Sequence, residues 1–223
     1  MTFNIITIFP EAFSYLDESI LKRAQKKGLL KVKIHNLRDF AKDKHHKVDG
    51  KPYGGGPGMV LKIEPLIKAV QSLKSKMRNK KSKVILFAPA GKQLNNKLAA
   101  DFAKKYDNLI LISGHYEGID ERAGKVISAA GFKVEEISIG PYVLGGGELP
   151  AMVLIDAVSR HIPGVLGKEE SLEEKRLGVG VPAYTRPEIF VYKGKKYPVP
   201  KILLSGNHAA IAKWRINHRQ KRS

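Results

Sequence analysis

The sequence predicts an α/β domain built on a largely parallel sheet, followed by a small, mainly helical C-terminal domain. Short apolar runs of strand length alternate with segments whose apolar residues recur at helical spacing. Strand-like runs also lead into three glycine-containing segments, Ala88–Gly91, Gly114–Gly118 and Gly140–Gly147. In open α/β sheets ligands bind at the carboxyl ends of strands, so these segments converge on one expected pocket. After Pro163 the texture changes, which divides the chain into a first domain at 1–163, a charged linker at 164–183 and a second domain at 184–223.

Phe3–Phe9 reads as a buried strand, and Pro10 opens a helix whose apolar face is Phe13, Leu16, Ile20 and Leu21, with Gly28 as its stop. Val32–Leu37 alternates like a strand. The next segment, RDFAKDKHHKVDGKPYGGGPGMV, is too polar and glycine-rich for regular structure, and loops of that length are commonly functional or mobile. Its His45 and His46 form no metal-ligand pattern with the other histidines. Helical spacing resumes over Ile63–Met77 through Leu66, Ile67, Val70 and Leu73, and the basic run at Lys74–Lys83 finishes that helix and turns. Val84–Phe87 and Leu109–Ser113 are apolar strands, with a helix carrying Leu94, Leu98 and Phe102 between them. Val134–Ile139 is a last short strand. Ala151, Leu154, Ile155, Val158 and Ile162 give the following helix its apolar face, and Pro163 ends it. A terminal helix runs from about Asn207 to Arg219, with Ser205 or Asn207 as N-cap.

Composition narrows the function. The 40 Lys+Arg against 21 Asp+Glu give a formal net charge of +19, which predicts an anionic partner such as a nucleic acid. The absence of cysteine excludes disulfides, thiolate nucleophiles and Cys-ligated zinc. The start, MTFNIITIFPEAF, lacks a basic n-region, and no apolar run reaches membrane-spanning length. The expectation is a soluble cytoplasmic protein that does not enter a membrane.

The stretch SIGPYVLGGGELP, residues Ser138–Pro150, is the most informative. It does not suit phosphate: a P-loop needs Lys-Ser/Thr directly after its glycines, and Glu148 would repel the anion. A dinucleotide fingerprint also fails, in pattern and in position. What remains is backbone that must approach a ligand or another chain segment closely, because glycine lacks a Cβ. Glu148 and Pro150 suit a first helical turn, and Arg160 near the helix end suits the negative end of its dipole.

That stretch, continued through AMVLIDAVSRHIPGVLG, resembles bacterial tRNA (guanine-N1)-methyltransferases of the SPOUT superfamily. IFPEAF, NLRDFA, VDGKPYGGGPGM, SGHYEGIDER, YTRPE and ILLSGNHAAIAKWR follow in family order, so the resemblance spans essentially the whole chain. It implies a trefoil-knotted domain that binds S-adenosylmethionine in a bent conformation. By position the cofactor-lining residues would be Ala88, Pro89, Gly91, Gly114, Glu117, Ser138, Ile139, Gly140, Tyr142, Leu144, Gly146 and Gly147. It further implies methylation of guanine 37 in tRNA, a homodimer whose active sites are each completed by the partner chain, and a C-terminal domain that grips tRNA. Glu117 is tied by resemblance to cofactor or magnesium-linked function.

The chemistry requires a base to take the N1 proton of guanine and a cation to meet charge building on O6. Resemblance gives the second role to Arg160. For the first, family members carry a linker aspartate about fifteen residues later, where this sequence has Lys175. A lysine serves as base only after a large fall in pKa, so Glu174, and after it Glu173, become the expected bases. Pro141 is a second departure, standing where many members carry aspartate. Two competing readings are a SPOUT methyltransferase acting on another RNA position and an RNA-binding protein that has lost the chemistry.

Overall fold

The structure, a computed structural model, describes residues 1–77, 80–167 and 180–218. The chain divides into two compact units, Met1–Leu166 and Gly167–Ser223. No helix among the described residues is long and apolar enough to cross a membrane.

The first unit is built on a five-stranded sheet in which every pairing is parallel. Its strands are β1 (Thr2–Thr7), β2 (Lys31–Asn36), β5 (Ser82–Gln93), β6 (Asn108–Ile112) and β7 (Lys133–Ser138), in spatial order β2-β1-β6-β5-β7. β6 is central and all five of its residues are buried, which is why LILI reads as an unbroken apolar run. Leu109 and Leu111 face one core with Phe3, Ile5, Phe102, Leu154 and Ile155; Ile110 and Ile112 face the other with Ile6, Leu66, Val70 and Ile127. The alternation of side chains along a strand thus feeds two cores, one on each side of the sheet. The helices α1 (Ser19–Lys26), α3 (Asn96–Lys105) and α5 (Glu148–Ser159) contribute to the first core. The helices α2 (Ile63–Lys76) and α4 (Arg122–Ala129) contribute to the second.

Several boundaries differ from the sequence reading for local reasons. Pro10 opens a 3-10 helix over Pro10–Asp17, and α1 starts only after Glu18 adopts an extended conformation. The long polar loop contains a minimal ladder, β3 (Asp49–Gly50) against β4 (Val60–Leu61). α4 was absent from the sequence reading; it spans two turns and offers only Ala123 and Ile127 as buried residues, too few to establish a period. β5 does not end before Ala88–Gly91. It pairs with β7 through Phe87, bulges, and pairs again from Lys92, so both Phe87 and Lys92 register against Ile137.

The second unit holds an antiparallel hairpin, β8 (Ile189–Tyr192) and β9 (Lys195–Pro198), that the sequence reading did not anticipate. Its two-residue turn places Lys193 at φ 47° and Gly194 at φ 75°. Lys-Gly lacks the Asn or Asp that usually announces such a turn. A short helix, Lys201–Leu204, and a final helix, His208–Asn217, follow. Asn207, not Ser205, is the cap of the last helix, its Oδ1 accepting from the Ala210 N–H at 3.0 Å.

The bulge in β5 depends on Gly91. A Cβ at this position would lie 2.8 Å from the Glu136 carbonyl carbon and the Ile137 nitrogen, both backbone atoms of β7. Gly91→Ala is expected to destabilise the fold by about 1–3 kcal/mol, as overpacking does. The check is the midpoint of urea unfolding, while an unchanged midpoint would mean β7 yields without cost.

Candidate cofactor cleft

The carboxyl ends of β5, β6 and β7 lie side by side, and the segments leaving them wall a cleft of about 420 Å³. Ala88 and Pro89 come from the β5 bulge, Gly114 and Glu117 from the segment after β6, and Ser138, Ile139, Gly140, Tyr142, Leu144, Gly146 and Gly147 from the segment between β7 and α5. All eleven line the cleft. Gly91 does not, because it faces the β7 backbone instead.

The walls are stitched together by backbone. Gly147 N–H donates to the Gly114 carbonyl at 2.7 Å, and His115 and Gly146 form an isolated antiparallel bridge. A Cβ on Gly147 would sit 2.6 Å from Ser113 Cα, so this position admits glycine and nothing larger. The Ser138 hydroxyl closes a tight turn with Gly140, accepting its N–H at 3.2 Å. Tyr142 lies over Gly140 and donates its hydroxyl to the Ile139 carbonyl at 3.1 Å. The polar loop's distal end joins the same wall: Glu117 N–H donates to Met59 at 3.0 Å and Leu61 N–H to Gly118 at 3.0 Å.

Glu148, at the first turn of α5, is held by Thr7 and flanked by His115. The Thr7 hydroxyl at the end of β1 donates to its Oε1 at 2.9 Å, and His115 Nδ1 stands 3.8 Å from its Oε2. Residues Thr7 and His115 were not singled out from sequence. Thr7 lies inside an apolar strand pattern, and His115 showed no partner until Gly146 and Glu148 were brought beside it.

The electrostatics of the cleft oppose those of the chain. Glu117, Asp120, Glu121 and Glu136 belong to its walls, and no lysine or arginine does among the described residues. A ligand bearing positive charge fits this wall; a phosphate does not. Among the described residues, no group of three or more Asp, Glu or His side chains is arranged to hold a metal, Glu117 included.

Arg160 lies elsewhere. It caps the carboxyl end of α5, and its N–H donates to the Asp156 carbonyl at 3.2 Å. Gly147 caps the opposite end of the same helix, so about 20 Å of helix axis separates the two at 1.5 Å per residue. Glu173, Glu174 and Lys175 lie outside the described residues, as do Arg219, Lys221 and Arg222.

Asp120 joins the cleft wall to α4. Its carboxylate accepts from Arg122 Nε at 2.9 Å, from Nη2 at 2.6 Å and from the Arg122 N–H at 3.0 Å. These bonds, the guanidinium foremost, hold the Asp120 carboxyl well below its ordinary value, at about 2. Because the folded value lies below the unfolded one, the stabilisation is present above about pH 4 and is lost as the pH falls through about 2. Carboxyl carbon shifts followed by NMR are expected to show Asp120 ionised at pH 3 and, in Arg122→Ala, titrating near the ordinary aspartate value. An unmoved midpoint in the variant would remove Arg122 as the cause.

Comparison with known proteins matches the sequence to a family. The sequence model of tRNA (guanine-1)-methyltransferase TrmD matches residues 1–223. A tRNA (guanine-N(1)-)-methyltransferase from Dictyoglomus turgidum is 53% identical over 216 residues, covering 95% of this chain and 82% of the relative. Relatives of the same name from Citrifermentans bemidjiense and Geotalea uraniireducens are 48% and 49% identical over 227 and 219 residues. They cover 100% and 96% of this chain, and it covers 86% and 84% of theirs. The chain belongs to the tRNA (guanine-1)-methyltransferase family.

Proposed function

We propose that the protein transfers the methyl group of S-adenosylmethionine to N1 of guanine 37 in tRNA, and that it does so as a cytoplasmic homodimer. The single observation that carries the reading is the cleft itself: glycine backbone on the β6 and β7 segments, carboxylates in the wall, and no cationic side chain among its described lining. Gly140, Gly146 and Gly147 let their backbones pack against Tyr142, His115 and Ser113, and the cleft of about 420 Å³ that this packing leaves open takes the nucleoside and its amino-acid arm in this reading. Glu117, Glu121 and Glu136 favour a sulfonium over an anion, while the Asp120 charge is met by Arg122. The bound donor supplies an electrophilic methyl group. The trefoil knot of the superfamily belongs to this reading, with the Gly140–Gly147 segment as its closing loop.

Guanine N1 carries a proton at neutral pH, so attack needs a base and leaves charge on O6. Glu174, with Glu173 as alternative, takes the proton in this reading, and the Arg160 guanidinium meets the developing oxyanion. The helix-long separation between Gly147 and Arg160 supports a shared site, in which the arginine serves the partner's cleft rather than its own. Leu149 and Val153, four residues apart on α5, stand exposed, as does Tyr15, whose hydroxyl bonds Asp156 of the same helix, and they supply apolar surface for such a pairing. The tRNA partner also accounts for the net charge of +19.

Single-turnover methylation of a guanine-37 tRNA transcript tests the assignment. Arg160→Ala is expected to slow the chemical step about 10²- to 10³-fold while leaving donor affinity by calorimetry unchanged, since the residue lies outside the cleft wall. Mixed dimers of Arg160→Ala and Gly147→Ala chains regain turnover if the arginine crosses between subunits, and stay inactive if it does not. The double variant Glu173→Ala/Glu174→Ala is expected to lose about 10²- to 10⁴-fold and to lose the acid limb of the pH–rate profile. Wild-type rates in that variant would take the base role from both.

A further inference from the structure

We infer that the β8–β9 hairpin is a stacking platform for unpaired bases of the substrate RNA. In an antiparallel pair, residues directly opposite one another project to the same face. Phe190 stands opposite Tyr197, and Tyr192 opposite Lys195, so three rings and a lysine share one side of the ribbon. The rings are open to solvent: Phe190 is 57% exposed, Tyr192 56% and Tyr197 48%. Lys195 Nζ lies 5.5 Å from the Tyr197 ring centroid, and Lys193 Nζ lies 5.6 Å from that of Tyr192. Cations therefore sit directly beside the aromatic surface.

A two-stranded ribbon is marginal by itself in water, and about half of the surface of three rings on it stays uncovered in the free chain. Such a face is built for a partner. Its charge says which kind: from Tyr184 onward Glu188 is the only acidic residue, while Lys193, Lys195, Lys196 and Lys201 lie on or directly after the ribbon. Aromatic rings interleaved with lysines match a strand of bases beside a phosphate backbone, the combination used by single-strand binding surfaces. A second copy of this segment seated on the face would have to strip water from those ammonium groups with Glu188 as its one carboxylate. Paired stems hide the faces of their bases, so the ribbon addresses a loop or an extruded base rather than a duplex.

The inference rests on the reading of tRNA as substrate, and the experiment separates the two. Anisotropy titrations of a labelled guanine-37 tRNA transcript over a range of salt would compare the full-length wild type with Phe190→Leu, Tyr197→Ala and Lys195→Ala. Phe190→Leu keeps apolar bulk and removes only the ring. Each aromatic variant is expected to bind about tenfold more weakly, with an unchanged slope of log affinity against log salt. Lys195→Ala is expected to flatten that slope by about 0.7. Methylation by Phe190→Leu should show a raised KM for tRNA with an unchanged single-turnover rate at saturation, and calorimetry should return wild-type donor affinity. Wild-type tRNA affinity in Phe190→Leu and Tyr197→Ala would overturn the platform and leave the tRNA reading standing. Loss of dimeric mass by light scattering in those variants would also overturn it, by assigning the face to a second copy of the chain. No salt-dependent binding of the transcript by wild type would instead overturn the tRNA reading.

Discussion

The contact on which the first unit turns is the approach of Gly147 to the backbone of Ser113 and Gly114. A 2.7 Å hydrogen bond from Gly147 to Gly114 ties the start of α5 to the end of β6, the most buried strand of the sheet. With any side chain at Gly147 the two backbones could not meet at that distance. Fixing this point fixes Glu148 beneath Thr7 and His115, and it holds the Gly140–Gly147 segment against the neighbouring wall. The glycines here serve packing first, and the cleft is what the packing leaves open.

Charge is distributed on two scales. The chain as a whole is strongly basic, as suits a phosphate-dense partner, yet the cleft wall carries carboxylates and no lysine or arginine among its described residues. These facts are compatible because screening in salt water confines each field to about 8–10 Å. A basic exterior and an acidic pocket can therefore draw ligands of opposite sign to different places on one small protein.

α5 sets the distance scale. Its amino end is built into the cleft through Gly147 and Glu148, while Arg160 caps the far end. Its buried side, Leu154, Ile155 and Val158, packs into the first core, and a helix of fixed rise keeps its two ends apart however it is oriented. Within one chain the glycine segment and Arg160 therefore stay about 20 Å apart along the helix axis.

Much of this was legible in the sequence where short-range physics governs. The parallel sheet followed from apolar runs such as LILI, and the rejection of phosphate followed from Glu148 and the missing lysine, both local facts. That three glycine segments meet in one pocket followed from the α/β rule, while the eleven expected cofactor residues found in its wall came from resemblance. Tertiary structure alone turned Gly91 toward β7, because the bulge that inserts four residues against Ile137 is a property of pairing between two strands. It alone joined Thr7, His115 and Glu148, which are separated by up to 141 positions. It alone exposed the rings of β8 and β9, because alternation in FVYKGKKY tells which residues share a face but not whether anything covers it. Local pattern determined the elements; what each side chain meets was decided by backbone segments far apart in sequence closing on one another.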